Sequence, residues 1–200
     1  KQASARGATP GRGGSSVGGL VRAAMGLGVL GPITALGTAR AMLSRDKRKG
    51  LNVLTATWPG LYLEMHGVRV YVIGGANADA QRPAVFLFNH RNQFDAFMAA
   101  AVVRDNFTAV AKKELKMHPL FGTFGRLMDM AFIDRADSAS AVDSMREIEA
   151  LAAQGLSIII APEGTRLDTH EVGEFKKGAF IMAMSAGLPV VPIVIRNADD

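Results

Sequence analysis

The sequence contains no cysteine, and this absence excludes several kinds of chemistry at once. Without thiols there are no disulfides, no thiolate-bound zinc and no acyl-thioester intermediate carried on the protein. Aromatic residues are also few, because the 200 residues include one Trp and two Tyr. Single-stranded nucleic acid would find few rings to stack on. Any nucleophile in this chain is therefore not a thiol, and nucleic acid is not an expected partner.

Charged residues are sparse, at 20% of the chain, whereas 48% of the residues are hydrophobic. This balance excludes a disordered chain and predicts one folded unit with an N-terminal appendage. Residues 1–50 carry nine Lys or Arg against one Asp, and the remainder carries fourteen against seventeen acids. A basic segment next to an apolar one attracts nucleic acid or an anionic membrane, and the apolar neighbour favours the membrane surface.

A long hydrophobic run is also missing. The uncharged stretch Ala23–Ala39 is shorter than the roughly 20 apolar residues that a transmembrane helix needs, and it contains four Gly and Pro32. Basic residues flank both of its ends, so a helix that lies in one leaflet is favoured over a short transmembrane helix or an ordinary buried helix. A secretory signal peptide is not expected, because a polar tail precedes the stretch and no initiator Met is present.

These features divide the chain into three parts. Residues 1–19 are rich in Gly and Ser and predict a flexible linker or tail. Residues 20–59 predict a membrane-associating helical segment, and residues 60–200 predict the main folded domain. Because the sequence stops soon after an apolar run, we expect the C-terminus of that domain to be truncated.

Beyond Trp58, short apolar runs alternate with helical patterns. Six runs predict strands: Val68–Ile73, Ala84–Phe88, Phe107–Ala111, Met130–Ile133, Ser157–Ala161 and Val190–Ile195. Helices are predicted over Phe94–Val103, Ser138–Gln154 and Ala179–Ala186. This alternation predicts an α/β fold with a mixed, mostly buried sheet flanked by helices.

Two literal motif matches lack the structural context that their chemistry requires. Gly26–Gly31 fits G-x-G-x-x-G, but no strand precedes it and Pro32 follows at once, so a dinucleotide site is not expected. Ala183–Gly187 approximates the nucleophile elbow, which joins a strand to a helix, whereas here a helix ends and a strand begins. Ser185 is therefore expected to be a small packing residue.

His90 and Asp95 form the strongest candidate pair. The predicted strand Ala84–Phe88 ends just before His90, and active sites of α/β sheets collect at the carboxyl ends of strands. The two residues can meet only if His90 lies on a turn and Asp95 lies in the first turn of the following helix. Asp95 would then fix the imidazole tautomer and leave the other ring nitrogen free to accept a proton. Alternatively, His90 only ends the strand and Asp95 only favours the helix N-terminus.

Two further strand ends carry arginine. The strand Ser157–Ala161 leads into Pro162–Arg166, where an arginine, a glycine backbone and a hydroxyl together can cradle a phosphate or an oxyanion. Arg135 follows the strand Met130–Ile133 in the same way. Each arginine could instead form a surface salt bridge, but two of them at strand ends, with His90 at a third, favour a shared site.

These segments together resemble the lysophosphatidic acid acyltransferase family, the PlsC-like acyltransferases, over roughly residues 60–196. The matching blocks, in order, are Asn89, His90 and Asp95; Ala111–Leu115; Gly125–Arg135; Pro162–Arg166 followed by Phe175–Gly178; and Pro189–Ile193. Two positions depart from the usual pattern: Asn92 replaces a common Ser, and the small Ala161 precedes the third block. These departures bear on substrate shape more than on the chemistry.

The resemblance implies a glycerolipid acyltransferase fold and a membrane-associated enzyme of phospholipid biosynthesis at the cytoplasmic face. It implies acyl transfer from acyl-CoA or an acyl carrier protein to the free hydroxyl of lysophosphatidic acid, with no bound cofactor and no metal. A remodelling acyltransferase with another lysophospholipid acceptor, or a catalytically silent lipid-binding domain, remain alternatives. In the implied site His90 and Asp95 are catalytic, and the residues expected to bind phosphate or glycerol are Lys112, Arg135, Glu163, Gly164, Thr165 and Arg166.

Overall fold

The computed structural model describes residues 17–118, 122, 125–133, 138–166 and 171–198. The helices are α1 Val17–Ser44, α2 Lys47–Met65, α3 Ala76–Ala80, α4 Asp95–Val103, α5 Ser138–Ala153 and α6 Lys177–Ser185, with a 3₁₀ helix at Lys113–Met117. The strands are β1 Val85–Phe88, β2 Phe107–Lys112, β3 Ala131–Ile133, β4 Ser157–Ile160 and β5 Val190–Ile193. Five of the six predicted strands and all three predicted helices of the main domain are thereby confirmed.

The five strands form one sheet in the order β3-β2-β4-β1-β5. All the described pairings are parallel, where a mixed sheet was expected, and the α/β architecture itself is confirmed. Parallel neighbours need crossover connections, and α4, α5 and α6 each connect one strand to another. Strand β1 lies between β4 and β5. The residues that follow β1 therefore have a neighbouring strand on each side.

Side chains of β1 alternate between two hydrophobic clusters, one on each face of the sheet. Phe86 and Phe88 pack in the cluster that includes residues of α2 and α4, and Val85 and Leu87 pack in the cluster that includes residues of α5 and α6. All four residues of β1 are buried, which explains why its sequence is continuously apolar and does not alternate between apolar and polar residues. The same alternation predicts on which face of the sheet each residue just after Phe88 lies.

Helices α1 and α2 form a hairpin with a close contact. Asp46 caps α2 by accepting hydrogen bonds from the backbone N–H groups of Arg48 and Lys49. A Cβ placed on Gly50 would lie 2.5 Å from the carbonyl oxygen of Gly37, so only glycine permits this spacing. Helix α1 extends beyond the uncharged stretch Ala23–Ala39 at both ends. Packing against α2 therefore outweighs the low helix propensity of its glycines.

The predictions for the N-terminal tail and helical segment can be compared with the structure only in part. Residues 1–16 of the predicted tail lie outside the described residues, and its last three residues belong to α1. No helix within the described residues is long and apolar enough to cross a membrane. Helix α2 continues without a break through residue 60, and the domain boundary placed there stays a prediction.

Other sequence predictions need correction. The predicted strand Val68–Ile73 is wrong: this segment is not a strand, and its residues from Val70 to Ile73 are exposed. A strand needs a hydrogen-bonded neighbour, and no described strand pairs with this segment. Ser185 is exposed at the end of α6 and hydrogen-bonds to Glu149, so it is not a packing residue.

Gly26–Gly31 lies inside helix α1, in keeping with the rejection of a dinucleotide-binding turn at this motif. That motif requires a strand before the glycines and a helix that starts after them. Ala183–Gly187 likewise runs from the end of α6 toward β5, the reverse of the strand-to-helix order of a nucleophile elbow.

Candidate active site

The carboxyl end of β1 carries the candidate pair. Because Phe86 and Phe88 face α4, the period of two directs His90 to the same face, and its ring lies edge-on to that of Phe88 with centroids 5.6 Å apart. Asp95 is the first residue of α4 and its side chain is fully buried. The structure therefore has His90 on the turn and Asp95 in the first helical turn, as the spacing requires.

His90 and Asp95 are in direct contact. The Nδ1 atom of His90 lies 3.1 Å from Oδ2 of Asp95. The same oxygen accepts hydrogen bonds from the backbone N–H groups of Arg91 and Asn92. Within the described part of the chain, the other oxygen, Oδ1, is buried without a hydrogen-bond partner. Three donors on one oxygen fix the carboxylate against the turn, and they favour the tautomer that has the proton on Nδ1 of His90.

The imidazole remains accessible. Its side chain keeps 27% of its surface exposed, although Asp95 has none. With Nδ1 engaged by the carboxylate, Nε2 of His90 keeps the free electron pair of the neutral ring. A partly exposed imidazole, backed by a buried carboxylate, suits the removal of a proton from a hydroxyl group.

Glu163 reaches this turn from the neighbouring strand β4. It is 97% buried, and its Oε1 accepts the backbone N–H of His90 at 2.9 Å. Its Oε2 accepts the backbone N–H of Gly173 at 3.2 Å. Both carboxylate oxygens are thus occupied by backbone donors. The geometry favours a role in holding the His90 turn over the direct contact with phosphate or glycerol that the sequence suggested.

The residues after Glu163 turn outward. Gly164 has φ of +75°, a left-handed conformation that favours glycine, and its N–H donates to the carbonyl of Ala161. The side chains of Thr165 and Arg166 are exposed beyond this turn. The carbonyl of Pro162 accepts the N–H of Lys176 at 2.8 Å, which fastens the turn to the segment before α6. Strand β4 therefore presents a threonine and an arginine to solvent beside the strand that bears His90.

The two other predicted cations belong to strands farther from β1. Lys112 is the exposed last residue of β2 and lies opposite Ile133 of β3 in the register. Arg135 lies outside the described residues, two positions after Ile133. In the strand order, β4 separates β1 from β2, and β2 separates β4 from β3. Arg166 and Lys112 thus lie at or after the carboxyl ends of two neighbouring strands, β4 and β2.

A family model described as Acyltransferase matches residues 69–196, which is more than half of the chain. The chain belongs to the acyltransferase family. The matched range contains β1 through β5 and every candidate site residue.

Three curated relatives illustrate the similarity of this acyltransferase. A 1-acyl-sn-glycerol-3-phosphate acyltransferase of Saccharomyces cerevisiae is 35% identical over 66% of the chain and 45% of the relative. One from Limnanthes alba is 30% identical over 72% of the chain and 57% of the relative. The human alpha form is 32% identical over 68% of the chain and 48% of the relative. The chain spans about half the length of the curated relatives it matches.

The fold of this acyltransferase has a solved counterpart. The crystal structure of the 1-acyl-sn-glycerophosphate (LPA) acyltransferase PlsC from Thermotoga maritima superimposes with a TM-score of 0.66. The match covers 86% of this chain and 72% of the other, at 22% sequence identity. This similarity supports the parallel sheet and its flanking helices as the fold of the family.

Sequence reasoning did not identify two asparagines as site residues of this acyltransferase. The side chain of Asn89 exchanges two hydrogen bonds with the backbone of Ile195, and the side chain of Asn92 joins Phe94 to Ala198. Their partners lie more than a hundred residues away, apart from Phe94. Only the position of the asparagines beside a strand end hints at such a role in the sequence, because Asn side chains readily bond to backbone groups at turns.

We expect Glu163→Gln to lower the acyltransferase activity about tenfold or more. An amide can accept from only one of the two backbone N–H groups, of His90 and Gly173, and its NH₂ group would face the other donor. The measurement is kcat in an acyltransferase assay. The matched control is Glu174→Gln, at an exposed neighbouring carboxylate, which should keep the parent rate. A parent rate for Glu163→Gln would show that the buried contacts do not support the site.

Proposed function

We propose that this protein transfers a fatty acyl group from acyl-CoA or an acyl carrier protein to the free hydroxyl of lysophosphatidic acid, giving phosphatidic acid. The observation that carries the proposal is the contact of 3.1 Å between His90 and the buried Asp95 at the end of an inner strand. Relatives named 1-acyl-sn-glycerol-3-phosphate acyltransferase support this choice of acceptor.

In the proposed step, Nε2 of His90 removes the proton from the acceptor hydroxyl, and the oxygen attacks the carbonyl carbon of the thioester. Asp95 stabilises the imidazolium that forms. The tetrahedral intermediate then breaks its C–S bond, and the leaving thiolate takes the proton back from His90. The new ester and the free thiol carry all the atoms of the two substrates. The acyl group would pass directly between them, which is consistent with the absence of cysteine from the sequence.

The acceptor's phosphate would lie along the edge of the sheet. Adjacent strands are about 4.8 Å apart, so the end of β4 lies one spacing from His90 and the end of β2 lies about 10 Å away. Arg166 is therefore the first candidate for the phosphate, with Gly164 and Thr165 as further donors. Arg135 would also bind the phosphate, and Lys112 would bind the phosphate or the oxyanion from farther along the edge. A short glycerol bridge then places the hydroxyl at His90.

A panel of acceptors tests this function. The purified protein is mixed with acyl-CoA and either lysophosphatidic acid, lysophosphatidylcholine or no acceptor, and the released thiol is measured. We expect kcat/KM for lysophosphatidic acid to exceed that for lysophosphatidylcholine at least tenfold, because only the former offers a terminal phosphate to the cations. The opposite preference would make the protein a remodelling acyltransferase. Lipid binding without thiol release would make it a silent lipid-binding domain.

Membrane association is the second part of the proposal, and helix α1 supports it. One face of α1 packs on α2, and a different face exposes large apolar side chains at Val21, Met25, Leu36 and Leu43. Gly28, Pro32 and Ala39 continue this face at spacings of three and four residues, and all are exposed. An uncharged exposed stripe of this length suits insertion into the upper part of one leaflet.

The basic residues beside α1 contribute less than their number suggests. Both Lys47 and Arg48 are paired with Asp129, at 3.1 Å and 2.8 Å. Their charges are therefore partly neutralised within the protein. Arg40, Arg45 and Lys49 are exposed and are the candidates for contact with anionic lipid. We propose that the apolar stripe of α1 dominates peripheral binding at the cytoplasmic face.

We expect Leu36→Glu to reduce co-sedimentation with anionic vesicles at least fivefold without loss of the fold. Leu36 is 63% exposed, so its substitution removes little packing, while a carboxylate buried in the leaflet is costly. Ile73→Glu provides the matched control, because Ile73 is 98% exposed and lies outside α1. Equal losses for both variants would contradict the assignment of membrane binding to α1.

A further inference from the structure

The turn that bears His90 is fastened to the chain segment that follows β5. The regular pairing of β1 with β5 ends at Phe88 and Ile193. Beyond it, Nδ2 of Asn89 donates to the carbonyl of Ile195 at 2.9 Å, and Oδ1 accepts the N–H of Ile195 at 2.7 Å. The side chain of Asn89 thus continues the hydrogen bonding between the two strands by one more residue pair, in place of backbone groups. These two hydrogen bonds are the first connection that holds the segment after β5 beside the turn.

Asn92 makes the second connection. Its Nδ2 donates to the carbonyl of Ala198, and its Oδ1 accepts the backbone N–H of Phe94 at 2.6 Å. Its own backbone N–H donates to Oδ2 of Asp95 at 2.7 Å. One residue therefore contacts the carboxylate of the pair, the residue that precedes α4 and the segment after β5.

The segment after β5 is a firm support at both contact points. Ile195 is 91% buried in the hydrophobic cluster on the face of α4. Asn197 has φ of +56°, a left-handed conformation that Asn adopts more readily than most residues. This turn in the backbone precedes Ala198, whose carbonyl faces Asn92. The support is thus anchored in the core at one end and shaped by a turn at the other.

We propose that Asn92 is a positioning residue, which uses the anchored segment Ile195–Ala198 to hold the carboxylate of Asp95 against His90. This inference rests on the proposed acyl transfer. In the N-H-x-S-x-x-D pattern that the sequence resembles, Ser stands at the position of Asn92. A serine hydroxyl can still accept the N–H of Phe94, but it is too short to reach Ala198. The brace across to the segment after β5 is therefore a feature of the longer amide.

The decisive variant is Asn92→Ser, because it keeps the acceptor for Phe94 and removes only the donor to Ala198. We expect kcat with acyl-CoA and lysophosphatidic acid to fall about tenfold. Such a loss corresponds to the free energy that one hydrogen bond contributes. The KM values should stay within twofold, because Asn92 is assigned no contact with substrate. The unfolding temperature should stay close to that of the parent. Gln93→Ser, at an exposed position of the same turn, is the control and should keep the parent kcat.

A second readout does not depend on activity. The Nδ1 proton of His90 reports its hydrogen bond to Asp95, and its NMR resonance should move in Asn92→Ser but not in Gln93→Ser. An unmoved resonance together with a parent kcat would overturn the proposal, as would a fall in kcat that only follows a lower unfolding temperature. If the parent protein acylates no acceptor, the proposed function fails, and the resonance alone then decides whether Asn92 positions the pair.

Discussion

His90→Ala is expected to lower kcat/KM for acyl transfer by about 10³-fold or more while the fold is kept. General base catalysis contributes roughly 10²- to 10⁴-fold, and no other described group contacts Asp95 in a way that would replace the imidazole. The loss of the ring removes a partly exposed side chain, and Oδ2 of Asp95 keeps its hydrogen bonds to two backbone N–H groups. The measurement is thiol release with lysophosphatidic acid, together with thermal unfolding.

His118→Ala is the matched control for this variant. His118 is an exposed histidine after the 3₁₀ helix, and it lies outside the candidate pair. Its removal should leave kcat/KM within about twofold of the parent value, as most surface substitutions do. A comparable loss in both variants would mean that the assay responds to something other than the base. A parent rate for His90→Ala would remove His90 from the mechanism.

The second large effect is expected for Asp95→Asn, a loss of about 10³-fold in kcat. The backbone N–H groups of Arg91 and Asn92 require an acceptor at the position of Oδ2, so the amide oxygen should occupy it. His90 then keeps its hydrogen bond and its tautomer, and what disappears is the negative charge beside the imidazolium. Opposite charges about 3 Å apart interact by about 5 kcal/mol at an effective dielectric constant near 20, which corresponds to more than 10³-fold in rate.

Asp79→Asn supplies the control for the charge change. Its side chain is 69% exposed and lies near Arg82 on the surface. We expect this variant to be indistinguishable from the parent in kcat, since exposed ion pairs contribute little. If Asp95→Asn retained more than a tenth of the parent kcat, the carboxylate charge would not be needed for the chemistry. The role of Asp95 would then be limited to orienting the turn.

The sequence was sufficient to predict the elements that carry their own pattern. Strand β1 is a short apolar run between turn residues, and α5 repeats apolar residues at helical spacing, so local physics alone indicates both. The placement of His90 on the turn and Asp95 in the first helical turn followed from their spacing and from the ends of these elements. The structure agrees on each of these points.

Errors arose where a residue's state depends on a distant partner. The segment 68–73 alternates as a strand does, but no described strand pairs with it. Helices α1 and α2 pack closely because Gly37 and Gly50 face each other across the hairpin. Neither fact is visible in a local window of sequence.

The partners of the site residues were equally hidden. The resemblance implied that Glu163 binds phosphate or glycerol, but the sequence did not show that the fold buries its carboxylate against the N–H of His90. Asn89 and Asn92 bond to residues that lie about a hundred positions downstream. Only the parallel arrangement of β1 and β5 brings these segments together. Arg135 lies outside the described residues, and its role stays a prediction.

The most direct test of the proposed reaction follows the acyl group itself. The purified protein is incubated with acyl-CoA labelled in its acyl carbonyl and with lysophosphatidic acid, and both the released thiol and the labelled lipids are quantified. We expect one labelled phosphatidic acid for each thiol released, and none in the His90→Ala variant. Thiol release that yields labelled free fatty acid, or labelled phosphatidic acid formed equally well without His90, would contradict it.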